Sequence, residues 1–120
     1  MLQTKTDDEA SGETMPATDD ALYCTGCGHL ISRTRWQISC RGDHAHTVFN
    51  PAGHLFQIGC YSDAPGAIPG GDASEEFTWF PGYAWRVALC GNCGRHMGWQ
   101  FLGDDEFFGL ITAHLSGTKS

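Results

Sequence analysis

The fold of this chain is decided by two short stretches of the same pattern, Cys24-Thr25-Gly26-Cys27-Gly28 and Cys90-Gly91-Asn92-Cys93-Gly94. Two cysteines separated by two residues can present both thiolates of one tight turn to a single ion, and the glycine that follows is free to adopt a positive φ. Two such turns supply the four sulfur ligands of one tetrahedral zinc site. The spacing therefore predicts one structural Zn²⁺, with no ligand position left open for catalysis, bound by Cys24, Cys27, Cys90 and Cys93.

The alternative interpretation is that these cysteines form disulfides or are plain buried thiols, as in a small secreted protein. Residues 1–20 contain no apolar run of the kind that signal peptides have, and they are rich in Asp and Glu. In the cytoplasm thiols are kept reduced, and paired turns of this type indicate a metal site. We therefore expect a cytoplasmic protein.

Length and charge define the organisation of the chain. Its 120 residues suffice for one domain. We predict a disordered acidic tail over 1–20, one domain over 21–116 and a flexible end over 117–120. No apolar stretch is long enough to span a membrane. The formal net charge of −7 argues against a nucleic-acid partner, because phosphate binding needs a basic surface.

From Leu22 onward the sequence is typical of a β protein. Short β-branched or aromatic segments are separated by Gly, Pro and Asn, which predicts strands at 47–49, 55–58, 85–89 and 98–102 and a turn at 50–53. Residues 107–115 are ambiguous between strand and helix, and their aromatic start favours a strand. Residues 62–76 are rich in Gly and Pro and predict a long, functional loop.

Three of the four tryptophans, Trp79, Trp85 and Trp99, fall close together on adjacent predicted strands. Core packing is the simpler explanation. However, Pro81-Gly82 suits the centre of a type II turn, which would splay the flanking strands and leave a gap between the indoles. Such a gap could hold a methylated ammonium, with Glu75 or Glu76 nearby, or a flat neutral ring. The residues alone leave both guests open.

The combination of these motifs resembles one known family. The run Trp79-Phe80-Pro81-Gly82-Tyr83-Ala84-Trp85 is followed by Ala88-Leu89-Cys90 and Gly98-Trp99-Gln100-Phe101, with residues 43–53 upstream and Phe107-Phe108-Gly109-Leu110 downstream. This pattern, over roughly 22–115, is similar to the thalidomide-binding domain of cereblon, and it is closest to single-domain bacterial homologues.

The resemblance implies a fold and a site. The fold would be a mostly β, zinc-pinned β-tent of two antiparallel sheets, similar to methionine sulfoxide reductase B. The site would be a three-tryptophan cage for cyclic imides such as glutarimide, succinimide, thalidomide-type ligands and cyclised protein carboxy termini. Uracil and uridine also bind to members of the family. The implied ligand-binding residues are the three cage tryptophans Trp79, Trp85 and Trp99, a floor at Phe101, a rim at Asn50, Pro51 and Phe56, and the neighbouring Phe77 and Thr78.

An imide edge presents an acceptor, a donor and a second acceptor, and an extended backbone over Phe77-Thr78-Trp79 would offer the complement. Eukaryotic cereblon has a histidine where this chain has Phe77, so a backbone N–H, Thr78 or water must replace that donor. The chain lacks the Lon-like and adaptor-binding regions of cereblon. We therefore expect no ubiquitin ligase role, and a monomer that binds small molecules.

Two rival functions remain. A methyl-lysine or quaternary ammonium reader would use the same cage. A reductase of the methionine sulfoxide reductase B type would need a nucleophilic cysteine after Cys93, where none occurs. We interpret Cys40 and Cys60 as small buried hydrophobic residues, so no enzymatic activity is expected. His44 and His46 could form a second metal site, but we interpret them as solvent-side or hydrogen-bonded histidines.

Overall fold

The protein is seen in a computed structural model that describes residues 20–50 and 52–117. Pro51, most of the predicted acidic tail and the last three residues of the predicted flexible end lie outside the described residues. The strands are β1 (Ala21–Cys24), β2 (Leu30–Arg33), β3 (Ala45–Phe49), β4 (Leu55–Tyr61), β5 (Ala67–Pro69), β6 (Ala84–Cys90), β7 (His96–Leu102), β8 (Glu106–Ile111) and β9 (Leu115–Ser116). Single 3₁₀ turns lie at Thr34–Trp36 and Thr112–His114.

The strands form two antiparallel sheets, as predicted. A six-stranded sheet has the order β3-β4-β8-β7-β6-β5, and a three-stranded sheet has the order β2-β1-β9. The chain is therefore a mostly β domain in which the first and last strands share the smaller sheet. Each of the four strands predicted between residues 47 and 102 lies within β3, β4, β6 or β7.

The large sheet buries both of its faces. Successive side chains of a strand point to opposite faces, and the sheet register puts Trp85 opposite Phe101 and Phe101 opposite Phe107 on one of them. This first face carries a core cluster of Val48, Ile58, Cys60, Phe80, Trp99, Phe101, Phe107 and Ile111. A second cluster of Tyr61, Met97, Leu110 and Cys90 packs against Cys24 and Ile31 of the small sheet. The aromatic residues of the predicted site and the cysteine turns thus belong to different cores.

Close packing of β7 on β8 depends on one glycine. Gly98 has φ +152, and a Cβ built on it would lie 2.1 Å from the carbonyl oxygen of Gly109. No side chain fits at that distance, so glycine is required immediately before Trp99.

Two predicted segments differ from the structure. Residues 62–76 are not a loop throughout, because Ala67–Pro69 forms β5 and pairs with β6, while Ser74 bridges to Trp85. The loop was predicted from the Gly and Pro content of this segment. Main-chain pairing of β5 with the longer β6 does not depend on that content. The strand predicted at 107–115 ends at Ile111, and a 3₁₀ turn precedes the short β9.

The backbone around Phe77 also differs from the prediction. Phe77 has φ +57, in the left-handed region, so the expectation of an extended backbone over Phe77-Thr78-Trp79 is wrong. Trp79 lies in a bend instead of on a strand. The turn at Pro81-Gly82 is as predicted: the N–H of Tyr83 donates to the carbonyl of Phe80 at 3.0 Å, and Gly82 has φ +93.

Asp20, the last residue of the predicted tail, contacts the domain. Its carboxylate accepts from the Arg33 guanidinium at 3.1 Å, and its carbonyl accepts from the N–H of Thr34 at 2.8 Å. Asp20, the residue before the predicted domain boundary, therefore takes part in the contacts of the domain.

Candidate metal centre and aromatic cavity

The four cysteines of the two predicted turns converge on one point. Their Sγ atoms all lie within 4.8 Å of one another, with 3.7 Å between Cys24 and Cys93 and 3.6 Å between Cys27 and Cys90. A tetrahedral ion with metal–sulfur bonds of about 2.3 Å has sulfur–sulfur edges of about 3.8 Å. A disulfide would need a sulfur–sulfur distance of about 2.05 Å. The observed distances therefore fit a shared metal ion and exclude disulfide pairing.

The two turns are built alike, which explains how the sequence produces this geometry. In each, the carbonyl of the first cysteine accepts from the glycine four residues later, Gly28 at 2.8 Å and Gly94 at 3.0 Å. These glycines have φ +79 and +81, the positive values predicted from the sequence. Each turn thereby brings its two sulfurs to the same side.

Main-chain donors also point at the sulfurs. The N–H of Gly26 lies 3.3 Å from Cys24 Sγ, and that of Asn92 lies 3.4 Å from Cys90 Sγ. Hydrogen bonds from the Asn92 side chain and the His29 main chain lower the pKa of Cys27 to about 6. For Cys93, a main-chain hydrogen bond at Arg95 lowers the pKa, but desolvation and hydrogen bonds to the other three cysteines outweigh it and raise the pKa to about 11. In the absence of an ion the four sulfurs thus share protons, and metal binding requires their release, because cysteine binds metal as the thiolate. The donor set is therefore suited to a soft, tetrahedral cation.

A small aromatic cavity lies on the first core face of the large sheet. It has a volume of about 60 Å³ and is lined by Asn50, Phe77, Trp79, Trp85 and Trp99. Sites for drug-sized ligands usually measure about 300–1,000 Å³, so this cavity suits a single small ring. Trp79 and Trp99 meet edge to face, with 4.7 Å between ring centroids and 85° between planes. The three tryptophans of the sequence prediction thus come together.

Two of the indoles turn their polar edge away from the cavity. Trp79 Nε1 donates to the carbonyl of Phe49 at 2.8 Å, and Trp85 Nε1 donates to the carbonyl of Glu76 at 2.6 Å. Both N–H groups have hydrogen-bond acceptors outside the cavity, so the rings present apolar faces to the cavity. Neither carbonyl partner was predicted, because nothing in the local sequence marks a main-chain oxygen as an indole acceptor.

The remaining predicted site residues lie behind or beside the cavity. Phe101 is fully buried, 6.2 Å from Trp79 by ring centroids, and it supports the tryptophans without lining the cavity. Phe56 packs edge to face on Trp99 at 5.2 Å. Pro51 lies outside the described residues. His96, which the sequence reasoning did not connect with this site, packs on Trp99 at 4.7 Å, and burial lowers its pKa.

The segment that carries Phe77 forms the mouth of the cavity. Phe77 is 70% exposed, although it is a large apolar residue held in a left-handed conformation. The Thr78 hydroxyl is engaged locally, donating to the carbonyl of Phe80 at 3.2 Å. The main-chain N–H and C=O groups of Phe77, Thr78 and Trp79 make no hydrogen bond to any other described residue.

Several other candidates lie apart from the cavity. Neither Glu75 nor Glu76 contributes a carboxylate to its lining. Cys60 is fully buried, and Cys40 packs against the core cluster that contains it. Desolvation raises the pKa of Cys60 to about 12 and raises that of Cys40 as well. Cys60 therefore matches the prediction of a small buried hydrophobic residue, whereas Cys40 is only partly buried.

The histidines of the 44–46 segment make local contacts. His44 Nδ1 lies 3.1 Å from the carbonyl of Ile38, and His46 Nε2 lies 2.9 Å from that of Cys40. Their rings are thus engaged with main-chain oxygens, as expected for structural residues. Over residues 20–50 and 52–117, no helix has the length and apolar character needed to cross a membrane.

These features define a class: a small two-sheet β domain with a four-cysteine metal centre and a separate aromatic cavity. The chain is 38% identical to cereblon of Gallus gallus over 104 residues, which is 79% of this chain and 23% of that protein. It is 46% identical to cereblon of Drosophila virilis over 101 residues, 77% of this chain and 16% of that protein. No family model matches it.

The domain is cereblon-like. Because it spans less than a quarter of the length of these two relatives, it is homologous to one region of each of them. The relatives are animal proteins, so the expected closeness to bacterial homologues stays a prediction.

Proposed function

We propose that this domain binds cyclic imides in the aromatic cavity and holds one structural zinc ion at the four-cysteine centre. Candidate ligands are glutarimide, succinimide, thalidomide-type compounds and the cyclised carboxy termini of proteins, with uracil and uridine as further ring imides. The small, aromatic lining suits the apolar part of such a ring.

One observation carries the proposal: two residues that line the otherwise apolar cavity, Phe77 and Trp79, belong to a segment whose main-chain groups have no partner among the described residues. The amides of Phe77, Thr78 and Trp79 are free of other described partners, while the indole N–H groups of Trp79 and Trp85 are taken. An imide edge needs two donors and one acceptor, which a peptide segment can supply. A plain hydrocarbon ring that buried these main-chain groups would leave them unpaired, at a cost of about 1–3 kcal/mol for each group, so they would select imides over hydrocarbon rings.

The same lining bears on the quaternary ammonium alternative. Aromatic rings attract cations, but a buried cation is better stabilised with an anionic neighbour. No described carboxylate lines the cavity, and Asn50 is its one polar side chain. A neutral ring that carries its own donors and acceptors is therefore the better match.

Zinc would stabilise the fold without taking part in ligand binding. The cysteine centre contacts the second core cluster, whereas the cavity belongs to the first. With four sulfur ligands, the ion would have no open position for a substrate. We accordingly propose binding without catalysis: the raised pKa values of Cys40 and Cys60 leave little thiolate for reductase chemistry. A monomeric, cytoplasmic protein without ubiquitin ligase activity belongs to the same proposal.

Ligand titrations followed by indole fluorescence test the proposal. Glutarimide, N-methylglutarimide and a trimethylammonium compound are compared on the same preparation. We expect micromolar binding of glutarimide and weaker binding of its N-methyl derivative, which has lost the central donor. If the N-methyl compound binds as well as glutarimide and the ammonium compound binds better than both, the imide proposal is wrong and the cation reader replaces it.

A further inference from the structure

A second, larger depression adjoins the aromatic cavity. It has a volume of about 540 Å³ and is lined by Arg41, Asp43, His46, Thr47, Val48, Phe49, Trp79 and Phe80. We name it the β3 groove, because β3 forms one of its sides while Trp79 and Phe80 form the other. Trp79 lines both the groove and the cavity, so the two spaces adjoin at this side chain.

The β3 groove runs along an open sheet edge. Within the part of the chain that the structure describes, β3 is the outermost strand of the six-stranded sheet and pairs only with β4. The hydrogen bonds from Cys60 N–H to the His44 carbonyl and from Asn50 N–H to the His54 carbonyl, both 3.0 Å, identify the even-numbered residues as those that face β4. The main-chain groups of Ala45, Thr47 and Phe49 therefore point outward.

At Ala45 and Thr47, the outward main-chain N–H and C=O groups are available for hydrogen bonds to a guest. The Phe49 carbonyl accepts the indole N–H of Trp79, which places the end of the open edge at the cavity. Ala45 and Thr47 are exposed, and their main-chain groups have no partner among the described residues. An edge of this kind is a template for an added strand.

The groove has fixed ends. At one end, Cys40 and Asp43 pair across a two-residue turn, and the His46 ring lies 2.9 Å from the carbonyl of Cys40 and 3.0 Å from that of Asp43. At the other end, Trp79 is anchored to Phe49. Because both ends of the groove are anchored, a guest would not need to order either end of it. This lowers the entropic cost of binding.

We propose that the β3 groove binds the extended peptide segment preceding a carboxy-terminal cyclic imide, as a strand added to β3 through the main-chain groups of Ala45 and Thr47. This inference rests on the proposed function, because it takes the imide ring to occupy the cavity. The cavity lies at the Phe49 end of β3, so a peptide whose last residue is the ring runs parallel to β3.

The chemistry of the groove favours a peptide over a second small molecule. The strand edge beside it offers the free main-chain groups of Ala45 and Thr47 at strand spacing, which an extended backbone matches. Phe49 is 61% exposed and lines the groove, offering an apolar surface to one side chain of the guest. The single Arg41 and the single Asp43 give the lining no dominant charge, so recognition would depend mainly on the backbone of the guest.

The test compares three probes on the full chain: glutarimide, an acetylated single-residue aminoglutarimide, and a five-residue peptide ending in the same aminoglutarimide. We expect the five-residue peptide to bind about tenfold more tightly than the acetylated residue, the gain from one or two main-chain hydrogen bonds with neighbouring contacts. Thr47→Pro removes the outward N–H of an edge residue, and Thr47→Ala is its matched control because it keeps that N–H. The gain should disappear in Thr47→Pro and persist in Thr47→Ala, with glutarimide affinity equal in all three proteins.

The outcomes separate the two proposals. Glutarimide binding without any gain from the peptide, or with a gain that survives Thr47→Pro, overturns the groove inference and leaves the proposed function standing. Absence of glutarimide binding in the unmodified chain overturns both. If Thr47→Pro does not fold, peptides with N-methylated backbone amides are compared on the unmodified chain, and an undiminished gain with every methylated peptide overturns the inference.

Discussion

Trp79 Nε1 donates a hydrogen bond to the main-chain carbonyl of Phe49, 30 positions earlier in the chain, at 2.8 Å. This contact joins the loop that carries Trp79 to the end of the edge strand β3. It also directs the polar edge of the indole away from the cavity, leaving an apolar face as one of the cavity walls.

Trp79→Phe removes this donor and keeps an aromatic ring. We expect imide affinity to fall by about 0.5–1.5 kcal/mol, the usual net value of one hydrogen bond, because the wall is no longer held in place. Titration calorimetry measures the change. Trp36→Phe is the matched control, since Trp36 lies outside the cavity and should leave affinity unchanged. Equal losses in both variants would contradict this role for the Phe49 contact.

The other tryptophans should differ in what they contribute. Trp85 is partly exposed, so Trp85→Ala should weaken imide binding by roughly 1–3 kcal/mol with a modest effect on folding. Trp99 is only 6% exposed, and Trp99→Ala should also lower the free energy of unfolding by about 3–5 kcal/mol. Affinity measurements and urea denaturation on both variants separate the two effects. Unchanged affinity in Trp85→Ala would remove Trp85 from the binding site.

Metal removal should unfold the domain. The four cysteines link β1 at the start of the fold to β6 and β7 near its end, and a closed structural site contributes its binding energy to folding. Elemental analysis should find one zinc per chain, and a chelator should abolish the β-sheet signal in circular dichroism. Cys93→Ser should reproduce the loss. Folded, ligand-binding protein with less than about half an equivalent of zinc would refute a structural role for this ion.

The two remaining cysteines should be dispensable for binding. Cys40→Ser combined with Cys60→Ser should leave imide affinity within a few-fold, because neither residue lines the cavity. Stability should fall by about 1–3 kcal/mol, since the serine at position 60 would bury a hydroxyl. A loss of binding in a variant that stays folded would reveal a thiol-dependent function.

Gly98→Ala should be strongly destabilising. The added methyl group would overlap the carbonyl oxygen of Gly109, and φ +152 is unfavourable for alanine, so we expect a loss of about 1–3 kcal/mol or more. Gly71→Ala is the control, because open space surrounds that position and a change within about 0.5 kcal/mol is expected. Thermal denaturation measures both. Similar melting temperatures for the two variants would show that β7 can shift away from β8.

The sequence by itself determined the features that depend on local patterns. The spacing of Cys24, Cys27, Cys90 and Cys93 was enough to predict their convergence, because each locally built turn presents two sulfurs and a closed tetrahedral ion needs four. Short β-branched or aromatic segments separated by Gly, Pro and Asn predicted the central strands. The run from Trp79 to Trp85 singled out the aromatic cluster before any contact was known.

Only the tertiary structure decided how these parts are arranged. β5 exists because β6 offers it a pairing edge. The N–H edges of the Trp79 and Trp85 indoles point away from the cavity because the carbonyls of Phe49 and Glu76 lie within hydrogen-bond distance. Phe77 adopts a left-handed conformation that its own propensity disfavours. Each of these depends on groups distant in sequence or on a backbone conformation set by its surroundings. Local preferences amount to about 1 kcal/mol per residue, so tertiary contacts of similar or greater strength override them.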